Sequence, residues 1–371
     1  METVMKKYKR VVIKVGSSTL THSDGNLNIQ KIKQIVKEIS LLLDDDYECV
    51  FVTSGAVTAG MGALEINHKP TEIDEHQALA AIGQVALIQL YSSLFFAFDH
   101  TIAQLLLTRD DFSNRTRYLN ARNTCQLLLD KKILPIINEN DSVSIAEIKL
   151  GDNDSLSALV AALIDADLIV IVSDIEGLYD ENPKINPNAK LIKTVHVVDD
   201  ELKSKAGLPG SKFGTGGMIT KLQAAEMALS NGTDLIITSG EDPHNITRAV
   251  HGEAVGTHFF AEKPALNAKK YWLRYATTLS GYIHLDKGAY KAILKGKSLL
   301  PAGIIRVDGR FDRGSVVQLI YDTEKIAIGI VNYSNTDIKK IMGEHTNKIK
   351  KILGYQYSNV VIHSDNMAKT D

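Results

Sequence analysis

Lys14 is a charged residue inside an apolar run, VVIKVGSS, and is followed at once by Gly16, Ser17 and Ser18. A lysine at the end of a strand can simply extend its ammonium group into solvent. It can also face a phosphate group that the backbone N–H groups of the Gly-Ser-Ser turn bind at the same time. The segment is therefore a candidate anion site, although the residues alone leave both interpretations open.

Lys221 is the second candidate, because it follows a glycine-rich loop in the segment GTGGMITKLQAA. The loop amides, the dipole of the following helix and the lysine could together bind a polyphosphate, although flexible surface loops have a similar composition. Neither lysine segment contains a Walker A motif or a Gly-x-Gly-x-x-Gly dinucleotide motif. Two cations beside anion-binding turns predict phosphoryl transfer stabilised by positioned cations, and we expect both ammonium groups to face solvent.

Two further strand ends carry polar residues. FVTSGAVTAGM has Ser54, Gly55 and Ala56 at the start of a predicted helix, where free amides can bind a carboxylate or phosphate. A capped helix with a closely packed glycine would explain this segment equally well. LIVIVSDIEGLYDENP ends a strand in Ser173 and Asp174, where a nucleotide base or ribose could lie.

A polar cluster, NENDSVSIAEIKLGDND, covers residues 138–154. Turn composition explains many of its residues, since Asn, Asp and Gly favour turns. However, Asp141 follows an apolar strand, and Asp152, Asn153 and Asp154 directly precede the apolar helical sequence LSALVAALI. Carboxylates at these places could pair with a substrate ammonium group or orient the lysines. No Cys/His metal cluster and no Ser-His-Asp arrangement is evident, so no metal-binding residues are assigned.

The elements that must position these residues alternate between short β-branched runs and helical segments up to about residue 260. This alternation predicts an α/β fold with a mainly parallel sheet between helices. Because ligands of such sheets lie at the carboxyl ends of the strands, the candidate residues should meet at one edge. The predicted strands are 10–15, 49–54, 101–107, 133–138, 167–173 and 234–239, and the predicted helices are 28–43, 55–63, 74–98, 117–131, 154–164, 219–231 and 243–251.

Residues 139–150 predict a small hairpin, since apolar and polar residues alternate after a turn-forming start. A polar stretch near 261–272 marks a boundary, after which short strands dominate in a pattern typical of a small barrel. The strands of this second module are predicted at 280–286, 303–309, 315–322 and 325–333, with a short helix at 287–295.

The composition is that of a folded protein of two to three domains: 371 residues, 44% hydrophobic, with a net charge of −2. Two cysteines exclude a disulfide framework and a four-cysteine zinc site, and they favour a reducing cytoplasm. We expect no secretory signal and no membrane span, and the apolar run 86–98 predicts a buried helix. Residues 271–371 carry 15 Lys and Arg against 9 Asp and Glu, which is weak evidence for nucleic-acid binding.

The motifs together resemble the glutamate 5-kinase family, in which an amino-acid kinase domain precedes a PUA domain. The segments that carry the resemblance are VVIKVGSSTLT, VTSGAVTAGM, INENDSV, LGDNDSLSALVA, SDIEGLYDENP, GTGGMITKLQAA, SLLPAGIIRVDGRFDRGSVV and GIVNYS. The resemblance implies a three-layer αβα sandwich followed by a small β-barrel. It also implies a kinase domain at 1–262, a linker at 263–274, a PUA domain at 275–355 and a C-terminal tail at 356–371.

The same resemblance implies ATP-dependent phosphorylation of the side-chain carboxylate of L-glutamate, the first step of proline biosynthesis, with Mg²⁺ carried mainly by ATP. It implies that Lys14 and Lys221 flank the transferred phosphoryl group and that Asp152 holds the lysines in place. The implied glutamate-binding residues are Ser54, Gly55, Ala56, Asp141 and Asn153. The implied ATP-binding residues are Lys14, Gly16, Ser17, Ser173, Asp174, Thr215, Gly216, Gly217, Met218, Ile219, Thr220 and Lys221. The resemblance also implies inhibition by proline and assembly into homo-oligomers.

Two alternatives stay open. A related kinase could use acetylglutamate, aspartate or a nucleoside monophosphate, and Asp141 discriminates because an acylated substrate has no ammonium group for it to pair with. A protein of another class would bind RNA through its PUA module, with the kinase fold as a relic. The intact cation and glycine-loop segments weigh against the second alternative, and so does the lack of an aromatic and basic patch denser than Tyr271–Arg274.

Overall fold

The structure is a computed structural model that describes residues 8–22, 26–66, 68, 70–143, 153–183, 186–206, 217–261 and 279–370. The chain divides into two compact units. One comprises Met1–Asp111 and Arg115–Ala265, and the other comprises Phe112–Asn114 and Leu266–Asp371.

The first unit is built on an eight-stranded sheet in the order β3-β4-β2-β1-β5-β7-β8-β6. All pairs are parallel except β7 with β8. The six predicted strands are confirmed as β1–β5 and β7, whereas β6 and β8 were not predicted because two or three residues carry too little periodicity. The strands are β1 Arg10–Val15, β2 Glu48–Val52, β3 Ile102–Leu107, β4 Leu134–Glu139, β5 Leu168–Ser173, β6 Thr194–Val195, β7 Asp234–Ser239 and β8 Thr257–Phe259.

Helices cover both faces of this sheet and make the expected three layers. On one face, Val11, Ile13 and Val15 share a core with α2, α4 and α10, while α6, α7 and α9 pack on the other. The seven predicted helices are confirmed, and three short ones, α1, α5 and α8, were not predicted. The helices are α1 Ser17–Leu20, α2 Ile29–Asp44, α3 Ala56–Ala63, α4 Ile73–Phe96, α5 Arg109–Ser113, α6 Arg115–Asp130, α7 Asn153–Ile164, α8 Asp200–Ala206, α9 Gly217–Ser230 and α10 Asn245–Val250.

Helices α3 and α4 approach each other so closely that only glycine fits at two contact points. A Cβ atom on Gly83 would lie 1.7 Å from the carbonyl oxygen of Ala56, and one on Gly60 would lie 2.0 Å from that of Leu79. The first contact holds α4 against the first turn of α3. It therefore fixes the distance between α4 and the strand end that bears Ser54.

Among the described residues, α4 is a helix long and apolar enough to cross a membrane when length and composition alone are considered. Most of the uncharged apolar run 86–98 lies in α4. Leu87, Tyr91 and Phe95 on one face of α4 are nevertheless buried in the core. A core helix of a folded domain satisfies the same length and composition test.

The second unit contains a five-stranded sheet in the order β10-β9-β11-β12-β13, antiparallel except between β9 and β11. Its strands are β9 Gly281–Leu285, β10 Ile304–Gly309, β11 Val316–Tyr321, β12 Glu324–Ile330 and β13 Met367–Lys369. Its helices are α11 Lys287–Leu294, α12 Asn335–Ile341 and α13 Ile349–Leu353. The predicted strands and helix are confirmed. The segment 356–371, separated as a tail in the sequence, contains β13, which pairs with β12 and buries Met367.

The predicted hairpin at 139–150 falls largely outside the described residues. Glu139 ends β4 and residues 141–143 form a turn, while 144–152 are not described. The predicted linker 263–274 is also not described.

Candidate active site

Lys14, Asp154 and Lys221 form an ion-pair cluster at the carboxyl edge of the first sheet. Lys14 lies next to the last residue of β1, and its neighbours Ile13 and Val15 point to the α2 face, so its side chain points to the opposite face, which α7 and α9 cover. Its Nζ lies 2.5 Å from Oδ1 of Asp154, in the first turn of α7. Lys221 Nζ, from α9, donates to Oδ2 of the same carboxylate at 2.9 Å.

All three charges are buried, which corrects the expectation that the lysines face solvent. Lys14 is 2% exposed, Lys221 7% and Asp154 0%. A buried ammonium group requires a counter-charge, and one carboxylate supplies it to both lysines. Burial alone would raise the pKa of Asp154, but the charges and hydrogen bonds of Lys14 and Lys221 outweigh it and hold the pKa at about 2. The carboxylate is therefore ionised, and the three side chains together carry one positive charge.

Asp154 holds a place that the sequence led us to expect for Asp152. Asp152, Thr215 and Gly216 lie outside the described residues, and the role of Asp152 stays a prediction. Oδ2 of Asp154 also accepts a hydrogen bond from the hydroxyl group of Thr220 at 3.1 Å. One signal could have identified Asp154 from the sequence, since it begins an otherwise apolar helix whose remaining turns are buried.

The rest of the predicted ATP-binding residues lie around the same sheet edge. Gly16 caps α1 after β1, and a Cβ atom there would lie 3.3 Å from Lys14 Nζ. Ser17 is exposed. Ser173 ends β5, the strand next to β1, and its hydroxyl group donates to exposed Asp174 at 3.1 Å. The first turn of α9 contains Gly217, Met218, Ile219 and Thr220.

Asn153 connects the lysine cluster to the strand end of β2. Its Nδ2 donates to the carbonyl oxygen of Thr53 at 2.8 Å, to the hydroxyl oxygen of Ser54 at 2.6 Å and to Oδ1 of Asn138 at 3.0 Å. Its Oδ1 is buried and has no hydrogen-bond partner among the described residues. Since a buried acceptor without a donor is costly, this atom is suited to accept a hydrogen bond from a ligand.

Gly55 turns the chain from β2 into α3 in the left-handed conformation, with φ +98°, and Ala56 begins the helix. The preceding residue, Ser54, accepts a hydrogen bond from Asn153, so the first turn of α3 begins beside Asn153. A cavity of about 280 Å³ lies beside it, lined among others by Ala56, Gln84 and Asp141. The structure therefore brings the described substrate-binding candidates, Ser54 to Ala56, Asp141 and Asn153, to one part of the sheet edge.

Two buried polar residues at this edge were not selected from the sequence. Asn138 is 2% exposed at the end of β4, and Gln84 is 9% exposed on α4. Asn138 stood in the polar cluster, but Gln84 lies in an apolar helical stretch and gave no signal beyond being polar there. Among the described residues, no group of three or more His, Cys, Asp or Glu side chains is arranged to hold a metal ion.

Comparison with known proteins gives consistent relationships over the whole chain. Residues 9–239 match the model of the amino acid kinase family, and residues 281–353 match that of the PUA domain. A glutamate 5-kinase of Thermoanaerobacter sp. (strain X514) is 46% identical over 360 residues, which cover 96% of this chain and 97% of the relative. A glutamate 5-kinase of Geobacter sulfurreducens is 45% identical over 366 residues, 98% of both chains.

Among solved structures, a UMP kinase from Bacillus anthracis is similar to this chain with a TM-score of 0.50 and 18% identity. The match covers 70% of this chain and 98% of that one. At this identity the similarity shows the fold alone. It agrees with the three-layer first unit described above.

Proposed function

The chain belongs to the amino acid kinase family and within it to the glutamate 5-kinases, and on that premise we propose that it transfers the terminal phosphoryl group of ATP to the side-chain carboxylate of L-glutamate. The products are L-glutamyl 5-phosphate and ADP, and the reaction is the first step of proline biosynthesis. The observation that carries the proposal is the buried cluster of Lys14, Asp154 and Lys221 with its net positive charge.

The chemistry requires cations rather than a base. The attacking carboxylate has an ordinary pKa of about 4.3 and is ionised at neutral pH, so no residue has to remove a proton. The difficulty is the repulsion between this anion and the polyphosphate. Lys14 and Lys221 offset it by facing the transferred group, and Asp154 holds both ammonium groups within 2.9 Å of one carboxylate.

The acceptor binds on the Asn153 side of the cluster. The amides at Gly55 and Ala56 and the hydroxyl group of Ser54 suit the α-carboxylate of glutamate. Asp141 and the buried Oδ1 of Asn153 suit its ammonium group, because both accept hydrogen bonds.

ATP binds on the other side, where Gly16, Ser17, Ser173 and Asp174 lie at the ends of β1 and β5, and the first turn of α9 continues the site. Thr215 and Gly216, which are not described, complete the predicted set. Mg²⁺ enters with the nucleotide and neutralises part of the phosphate charge.

We propose a cytoplasmic enzyme that forms a homo-oligomer and is inhibited by proline in competition with glutamate. These properties are supported by family resemblance. RNA binding by the second unit, a PUA domain, has only the weak excess of basic residues in its favour.

ADP release from Mg-ATP with L-glutamate, N-acetylglutamate, aspartate and UMP in parallel tests the proposal. Hydroxylamine in each reaction traps an acyl phosphate as the hydroxamate. We expect turnover and hydroxamate with L-glutamate alone. Turnover only with another acceptor would support a kinase activity and reject glutamate as the substrate. No turnover with any of the four acceptors would favour the RNA-binding alternative.

A further inference from the structure

Gln84 is the buried end of a chain of three amide side chains that leads to the proposed glutamate site. Its Oε1 accepts a hydrogen bond from Nδ2 of Asn138 at 2.9 Å. Oδ1 of Asn138 in turn accepts from Nδ2 of Asn153 at 3.0 Å. The three amides span α4, the end of β4 and the start of α7, so they join both layers of helices across the sheet edge.

Two backbone groups fix the direction of this chain, the N–H of Glu139 and the carbonyl oxygen of Thr53. The backbone N–H of Glu139 donates to Oδ1 of Asn138 at 2.9 Å, and an N–H group can only donate. Asn138 must therefore present its oxygen to Glu139 and Asn153 and its nitrogen to Gln84. Gln84 must therefore accept this hydrogen bond with its oxygen, because its nitrogen at that place would leave two donors facing each other.

The other end of the chain determines what a ligand meets. With Nδ2 of Asn153 directed at Asn138, Thr53 and Ser54, its Oδ1 is left as a buried acceptor without a partner among the described residues. An acceptor in this orientation selects a donor such as an ammonium group. If the Asn153 amide were to turn over, it would offer a donor instead and would repel the same ammonium group.

We propose that Gln84 is a positioning residue that, together with the backbone N–H of Glu139, holds Asn138 in one orientation and so keeps Asn153 selective for an acceptor substrate with a free ammonium group. The inference rests on the proposed function and deepens it. Gln84 acts through Asn138, and no contact between Gln84 and the substrate is required. The close contact between Gly83 and Ala56 fixes the position of α4 from which Gln84 reaches Asn138.

Replacing Gln84 by methionine removes the acceptor and preserves most of the side-chain volume. The buried Nδ2 of Asn138 then has no acceptor at that place. If the Asn138 amide turns toward another acceptor, its Oδ1 is withdrawn from Asn153. A hydrogen bond to a charged group contributes about ten- to a hundredfold to binding. We therefore expect the KM for L-glutamate to rise about ten- to a hundredfold, with the KM for ATP within twofold of wild type.

Glutarate, which is glutamate without its ammonium group, separates positioning from general damage. Its inhibition constant against glutamate should stay within about threefold in Gln84→Met, because it does not use the Asn153 acceptor. A structural defect would weaken glutarate, glutamate and ATP together, and that result would overturn the proposal. Gln89→Met, an exposed substitution on the same helix, is the matched control and should leave all three constants unchanged.

Gln84→Glu provides a second test that does not depend on how well the methionine variant folds. An ionised glutamate side chain still accepts from Asn138 but has no N–H group of its own. The amide chain is then retained, and we expect a KM for L-glutamate within about threefold of wild type. A tenfold rise in this variant would overturn the proposal. Absence of glutamate turnover in the wild-type protein would instead reject the proposed function itself.

Discussion

Replacing Asp154 by asparagine preserves the size of the side chain and removes the carboxylate that pairs with both Lys14 and Lys221. Both ammonium groups then stay buried at 2% and 7% exposure and lose this carboxylate. Breaking a buried ion pair from one side costs about 3–5 kcal/mol. The fall in the pKa of Asp154 from 3.8 to about 2 corresponds to a contribution on the order of 2 kcal/mol. We expect the variant to lose about 2–5 kcal/mol of unfolding free energy.

The effect on catalysis is larger, because one substitution releases both cations from their places. Loss of a single group that stabilises transition-state charge typically lowers kcat about 10²- to 10³-fold. We expect Asp154→Asn to lower kcat for glutamate phosphorylation at least about 10²-fold. Its KM for glutamate should change little, since the Asn153 amide and the α3 amides are retained.

Circular dichroism during heating and steady-state ADP release measure these two effects. For a unit of this size the expected loss corresponds to a fall in Tm of about 5–15 °C. Asp165→Asn, just beyond the other end of α7, is the matched control. Asp165 is exposed and has φ +53°, a conformation that asparagine also adopts, so its variant should match wild type in both measurements. An Asp154→Asn protein with wild-type kcat and Tm would refute the role of the cluster.

Three further predictions address packing, pH and charge. Gly83→Ala should destabilise the protein by about 1–3 kcal/mol and raise the KM for glutamate, because the new Cβ would lie 1.7 Å from the carbonyl oxygen of Ala56. The control is Gly62→Ala, whose Cβ would meet nothing closer than 3.8 Å. Denaturant unfolding of both variants checks this prediction, and equal midpoints would contradict it. The pKa of Asp154 is lower in the folded than in the unfolded chain, so its stabilisation is complete above pH 4 and is lost as the pH falls toward 2. The difference in unfolding free energy between wild type and Asp154→Asn should accordingly shrink across that range, and a constant difference would count against the ionised carboxylate. ATP should raise the Tm of Lys14→Met less than it raises the Tm of the wild-type protein, and a thermal-shift titration measures this difference. An equal rise in Tm would mean that Lys14 does not contribute to nucleotide binding.

Much of the first unit follows from the sequence because its central strands are apolar on both faces and its helices are long. Runs such as RVVIKV and LIVIVS are almost entirely apolar, and this pattern predicts buried parallel strands. The elements that escaped prediction, such as β6 and α1, have two to four residues, too few for a period to be visible. The strand β13 was missed for another reason, since its pairing with β12 is a contact between distant segments.

The site could be predicted as a set of strand ends but not as a set of contacts. The sequence indicated Lys14 and Lys221 correctly as residues near one edge, yet it described them as exposed, because nothing local shows that Asp154 reaches both. Residue type alone also does not distinguish Asp152 from Asp154, which are two positions apart before the same helix. Gln84 could not be identified from the sequence, because its proposed role depends on a hydrogen bond from Asn138, which is 54 positions away.

The most direct test of the central claim is a rapid-quench measurement of the phosphoryl-transfer step in one turnover, at saturating ATP and L-glutamate. Wild type, Lys14→Met and Lys221→Met are compared with Lys190→Met, which replaces a lysine outside the cluster. If the two buried lysines stabilise the transferred group, each of the two active-site variants slows this step about 10²-fold or more, while Lys190→Met does not. A transfer step of wild-type rate in either active-site variant would contradict the account.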